Sequence, residues 1–192
     1  MPRRRTLIVY ASHYGQTAKV AHFVASRLRE AGGMVTLSRV DDFRGGMTPG
    51  QFDGAIVGAS INFGRHQRSI RRFVRANRHE LEQIPSAFFS VSGAECSPDE
   101  APRAVAKKYI ANFVRETGWQ PTMTESIAGA MAYTKYSPVM RWMLKWISQK
   151  EGGPADTSRD YEYTDWEQVR RFADRFAEEL KAPEAAVAAT AG

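Results

Sequence analysis

Short apolar runs rich in β-branched and aromatic residues alternate along this chain with stretches whose apolar residues recur every three or four positions. Leu7-Ile8-Val9-Tyr10-Ala11 predicts a buried strand. After the polar stretch Ser12–Thr17, Val20, Val24, Leu28 and Ala31 share one helical face with Phe23 beside them, and Gly32-Gly33 ends the helix. Val35, Leu37 and Val40 predict a short strand, and Arg44–Gly50 a loop. Gly54–Ser60 is the next strong strand, followed by Ile61–His66 and a helix bearing Ile70, Phe73, Val74 and Leu81. Ala87–Val91 is a further strand, with the loop opened by Ser92-Gly93-Ala94-Glu95. A helix after Pro102 then carries Val105, Tyr109 and Phe113 on one row and Ala106, Ile110 and Val114 on the next. Thr124–Ala130 is the fifth strand.

Strands alternating with helices of these lengths predict an α/β fold with a parallel sheet covered on both faces. With right-handed crossovers, five strands close into the doubly wound order 2-1-3-4-5. The pattern then departs from a minimal five-unit fold. A long insert, 131–163, precedes the last helix, and within it Val139–Ile147 can be set on a helical wheel. Trp142, Trp146 and their apolar neighbours fill an arc of roughly 200° there, leaving Arg141 and Lys145 on the polar side. Thr164-Asp165-Trp166-Glu167 reads as a capping box for a final helix through Val169, Phe172, Phe176 and Leu180. The expected organisation is one domain over 1–181, with 182–192 as a flexible, alanine-rich tail.

Charge and cysteine content narrow the classes. One cysteine among 192 residues excludes an internal disulfide and fits a reducing cytoplasm. No apolar run approaches the roughly 20 residues of a membrane span. A net charge of +6 and a pI near 9.6 point to anionic contacts: a carboxylated substrate, an anionic lipid surface or nucleic acid. No nucleic-acid-binding module accompanies that charge. Four scattered histidines and the lone Cys96 give no metal-ligand spacing, so no metal is expected.

The candidate chemistry lies where strands end. Ser12, His13, Tyr14, Gly15, Gln16 and Thr17 join the first strand to a helix start, so backbone N–H groups, hydroxyls and an amide converge on a site that favours an anion. No Gly-Lys-Ser/Thr ending and no glycine triplet is present, which excludes the two commonest nucleotide loops. The pattern Ser-x-x-Gly-x-Thr resembles the phosphate loop of the flavodoxins, which implies FMN. At the switch point of the expected order this loop faces Ser60, Ile61, Asn62, Phe63 and Gly64, with Ser90, Val91, Ser92 and Gly93 next to them. Ile61 and Phe63 offer apolar faces for a flat ring, and loop backbone can bond its edge.

A closer resemblance rests on Gly15-Gln16-Thr17, Val57-Gly58-Ala59-Ser60-Ile61, Pro85-Ser86-Ala87-Phe88, Ile127-Ala128-Gly129-Ala130, Gly152-Gly153 with Asp156-Thr157, and Tyr163-Thr164-Asp165-Trp166-Glu167-Gln168-Val169. With these, the chain is similar over about residues 6–180 to the flavodoxin-like, quinone-dependent protoporphyrinogen IX dehydrogenases of bacterial haem biosynthesis. The loop Ser92–Pro102, with Glu95, Asp99 and Glu100, departs from that family. The resemblance implies FMN-dependent oxidation of protoporphyrinogen IX, with electrons leaving through the flavin to a membrane quinone, menaquinone or ubiquinone. It implies a cytoplasmic protein held peripherally at the inner face of the cell membrane. Arg65, Arg141, Trp142, Lys145 and Trp146 are then candidate substrate or membrane contacts. The alternatives are a flavodoxin-type electron carrier and an NAD(P)H quinone reductase. His66 is the one side chain weighed for proton transfer or propionate attraction, although its setting between Arg65 and Arg68 reads first as polar surface. His22 and His79 read as helix surface.

Overall fold

The computed structural model describes residues 3–43, 46–96, 100–131 and 161–181. Arg141, Trp142, Lys145 and Trp146 therefore lie outside the described residues, as does the helix expected over Val139–Ile147.

Five parallel strands form the sheet: β1 (Arg5–Ala11), β2 (Met34–Arg39), β3 (Gly54–Asn62), β5 (Ser86–Ser92) and β6 (Met123–Ala128). They lie side by side as β2-β1-β3-β5-β6, the doubly wound order expected from the alternating pattern. Every residue of β1 from Thr6 to Ala11 is buried, as a central parallel strand requires when helices cover both faces. Side chains alternate between two cores. Ile8, Tyr10, Ile56, Phe89 and Ile127 pack beneath α1 (Gln16–Glu30) and α5 (Trp166–Glu179), against Val20, Val24, Val169 and Phe172. Leu7, Val9, Val57 and Phe88 pack on the other face, beneath α2 (Arg68–Ala76), α3 (Arg78–Glu82) and α4 (Glu100–Thr117).

Several boundaries differ from expectation, each for a local reason. The helix expected from Ile70 through Leu81 divides at Asn77, which ends α2 by donating its side-chain amide to the Phe73 carbonyl and starts α3. In α4 the buried stripe runs through Ala106, Phe113 and Thr117, and Val105 is exposed. The cap of α5 is Asp165 rather than Thr164. Its carboxylate accepts the N–H groups of Glu167 and Gln168 at 2.9 and 3.1 Å. Thr164 is drawn inward instead, its hydroxyl donating to the Ala128 carbonyl at 2.7 Å.

Two short additions sit at the carboxyl ends of the strands. β4 (Arg65–His66) folds back antiparallel on the end of β3, pairing His66 with Ile61 and Arg65 with Asn62. β7 (Ala130–Met131) pairs antiparallel with β8 (Tyr161–Glu162), so the chain leaves and rejoins the domain on adjacent strands. Among the described residues no helix is long and apolar enough to cross a membrane.

Candidate flavin site

The loops after β1, β3 and β5 stand together because their strands are neighbours in register. Ala11 lies beside Ala59, and Ser60 beside Val91. The strand order reverses between β1 and β3, the place where open α/β sheets bind ligands.

The first loop is built around Gly15, whose φ of +103° suits a residue without Cβ. The Ser12 hydroxyl oxygen accepts the Gly15 N–H at 3.1 Å and keeps its own proton for another acceptor. Helix α1 starts with no side-chain cap and no acidic residue in its first turn, so its leading N–H groups remain open to an anion. Thr17 is 1% exposed and its hydroxyl has no partner among the described residues, which is costly for a buried polar atom. That combination fits a phosphate. Lys19 does not supply the charge, because its ammonium pairs with Glu162 at 2.7 Å. His13 is exposed, with its ring edge-on to Tyr14 at 4.6 Å. The Gln16 side chain, expected among the phosphate donors, is committed elsewhere: its amide donates to Thr164 Oγ1 at 2.8 Å.

The second loop is a two-residue turn. Phe63 (φ +47°) and Gly64 (φ +75°) both take left-handed conformations, as a type I′ hairpin demands. Glycine adopts this readily, whereas a side chain as large as Phe63 does so at a cost of about 1–2 kcal/mol. Phe63 is nonetheless 79% exposed at the tip. Ser60 accepts from the Gln67 amide at 2.6 Å, and the same amide reaches the Ala11 carbonyl at 3.5 Å, linking the first two loops. Ile61 and Asn62 are half-buried, and Arg65 is exposed.

His66 is not a surface group. Pairing with Ile61 turns it inward, and it is 5% exposed. Its ring stands edge-on to Phe88 and Phe113 at 5.3 and 5.0 Å, and its Nε2 lies 2.9 Å from Ser90 Oγ. Burial holds its pKa down to about 4, with the Arg71 charge lowering it further and Glu116 opposing both. It is therefore neutral near pH 7 and carries no charge to attract a carboxylate.

The third loop begins at Ser90, Val91 and Ser92, all buried, and opens at exposed Gly93. The Ser92 carbonyl accepts from Gly129 N–H at 3.0 Å, and the Gly129 carbonyl from Tyr163 N–H at 3.1 Å. Through Tyr163, Thr164 and Glu162 the β7–β8 stem is tied to both the third loop and α1. Glu162 also accepts from Trp166 Nε1 at 2.9 Å, and its Lys19, Trp166 and Gln16 contacts hold its pKa below the usual carboxylate range. Gln67, Thr164, Glu162 and the His66–Ser90 pair escaped sequence reasoning. The Tyr-Thr-Asp-Trp run was visible as a helix start and as part of the family resemblance, but not as a tie between the β7–β8 stem and α1.

A doubly wound sheet with an uncapped, phosphate-fitting loop at its switch point defines the class, and the comparisons agree. The chain belongs to the flavodoxin domain family, whose sequence profile matches residues 7–158. Within that family it is 33% identical over 173 residues to the protoporphyrinogen IX dehydrogenase [quinone] of Escherichia coli K12, covering 90% of this chain and 94% of that protein. The Leishmania major protein of the same name is 30% identical over 177 residues, with 90% and 74% covered. Among solved structures, oxidised flavodoxin 1 from Bacillus cereus is similar with a TM-score of 0.54 at 16% identity, covering 94% of this chain and 99% of that one. That likeness extends to the fold alone.

Proposed function

We propose that this protein is an FMN-dependent dehydrogenase that oxidises protoporphyrinogen IX to protoporphyrin IX and delivers the electrons to a membrane quinone. The observation that carries the reading is the buried Thr17 hydroxyl, unpartnered among the described residues, beneath an uncapped helix start, in a chain similar along nearly its whole length to proteins named for that reaction. When bound, FMN supplies two-electron chemistry, so removing six electrons from the tetrapyrrole takes three turnovers and three quinones. The chain binds and orients. The backbone N–H groups of Gln16 and Thr17 at the open start of α1, with the Ser12 and Thr17 hydroxyls, hold the phosphate end. Ile61 and Phe63 cover one face of the ring, and the backbone of Asn62, Gly64 and 90–93 meets its edge. Arg65, exposed beside this edge, receives a propionate of the substrate. No side chain is assigned as acid or base.

Membrane contact belongs to this proposal too. The net charge of +6, with Arg141 and Lys145 beside Trp142 and Trp146, suits an anionic lipid surface at the inner face of the cell membrane. Liposome binding should need anionic lipid and weaken with salt, since such attraction fades within a Debye length. Loss in a Trp142→Ala, Trp146→Ala double variant that still holds FMN supports this contact, and unchanged binding excludes it. For the chemistry, the FMN-loaded protein is mixed anaerobically with protoporphyrinogen and separately with NADH and NADPH. Flavin bleaching by the tetrapyrrole is the expected result. Bleaching by the nicotinamides alone would make the protein a quinone reductase, and bleaching by neither a carrier.

A further inference from the structure

The Phe63 turn is held in place by something other than Phe63. Its ring is almost wholly exposed, and its backbone sits where a bulky residue is disfavoured. Such a conformation persists only where the surroundings over-determine it. The cross-strand partners of the turn are Asn62 with Arg65 and Ile61 with His66, and of the two residues of β4 only His66 enters the core. Its ring sits among Phe88 and Phe113, and its Nε2 meets the Ser90 hydroxyl where the third loop begins. We propose that His66, hydrogen-bonded to Ser90, is a positioning residue that fixes the Phe63 turn against the start of the third loop, so that the two ring-facing segments keep their separation. This role rests on the flavin reading above.

The surroundings make the anchor sensitive to charge. Arg71 on α2 and Glu116 on α4 are the charged groups acting on the ring, and Arg65, on the same strand as His66, acts on Glu116. Glu116 is already taken up by Arg71 at 2.7 Å, and its backbone carbonyl by Arg75. A proton on His66 would therefore face a guanidinium and two aromatic rings with its nearest carboxylate engaged.

The test measures FMN affinity by fluorescence titration and FMN release rate for wild type, His66→Gln, Ser90→Ala, Phe63→Gly and the His66→Gln/Phe63→Gly pair, between pH 7.5 and 4. Ser90→Ala removes the bond and leaves the ring cluster packed, so a folding defect in His66→Gln does not leave the matter open. At pH 7.5 the first two variants should release FMN about tenfold faster. In the Phe63→Gly background, His66→Gln should add less than about threefold. Acid should accelerate release from wild type beyond the change seen in His66→Gln, which carries the contribution of every other titrating group and of the FMN phosphate. Additive effects, or identical pH profiles in a wild type that binds FMN, overturn the positioning role alone. A wild type that takes up no FMN overturns the flavin reading and this role with it.

Discussion

The first and second loops of the site sit on adjacent strands and solve opposite problems. The loop around Gly15 leaves polar groups without partners among the described residues: the Thr17 hydroxyl is buried and unbonded, and the start of α1 is uncapped. The Phe63 turn leaves an apolar ring without cover, and locks the backbone beneath it through β4, His66 and Ser90. One end of the site is thus incomplete in hydrogen bonding and the other in apolar burial. A ligand with a phosphate at one end and a flat ring at the other completes both, which is why the two deficits are more informative together than either alone.

The largest expected effect tests the locked side. His66 titrates near 6.5 when unfolded and at about 4 when folded, so between those values the unfolded chain binds the extra proton. Stability contributed by neutral His66 should be full above pH ~6.5 and lost as pH falls toward 4, about 3 kcal/mol in all. The Glu80, Glu116 and Glu162 carboxyls, all held below their ordinary range, add their losses only lower, below about pH 4.5. Denaturant unfolding of the ligand-free protein between pH 6.5 and 5 isolates the histidine. A slope that survives His66→Gln would show that another group is responsible.

Thr17→Val tests the open side. A hydroxyl bonded to a charged group is worth about 1.5–3 kcal/mol, so FMN should bind roughly ten- to a hundredfold more weakly. The ligand-free protein should keep its stability or gain about 1 kcal/mol, because an unbonded buried hydroxyl is removed. A destabilised ligand-free variant with unchanged FMN affinity would mean that Thr17 serves packing only.

Phe63→Asn has a smaller effect of opposite sign in the two states. Asparagine tolerates the left-handed region, so the ligand-free protein should gain up to about 1 kcal/mol in a thermal melt. Bound FMN should lose part of its fluorescence quenching. Smallest of all is Glu162→Gln. Its ion pair with Lys19 is solvent-exposed, so less than about 1 kcal/mol should be lost, and FMN affinity should move little. A loss of several kcal/mol would place the stem of the insert among the supports of the phosphate loop.

What the sequence made legible follows from range. β1, β3 and β5 are continuous apolar runs and α1 has clear 3.6-residue periodicity, so their identity and order could be read locally. Thr17 could be singled out as a candidate phosphate donor because its loop is contiguous. His66 could not be read in this way. Its neighbours Arg65 and Arg68 are solvent-facing, and only pairing with Ile61 and contact with Ser90, 24 residues on, make it a core residue. Gln16 and Thr164 are 148 positions apart, so nothing near Gln16 announces that its amide is already engaged. Thr164 itself mimics a helix cap, because Thr-x-x-Glu fits the rule whether or not the side chain points that way.

The β7–β8 stem has a consequence for how this chain can change. Residues 132–160 depart from Met131 and return at Tyr161, two residues that pair across adjacent strands. The described domain therefore meets both ends of that stretch at one place, and the closure entropy of a loop joining two such ends grows by only about 0.6 kcal/mol per doubling of its length. The paired ends fix where the chain leaves and rejoins the domain, whatever the number of residues between them.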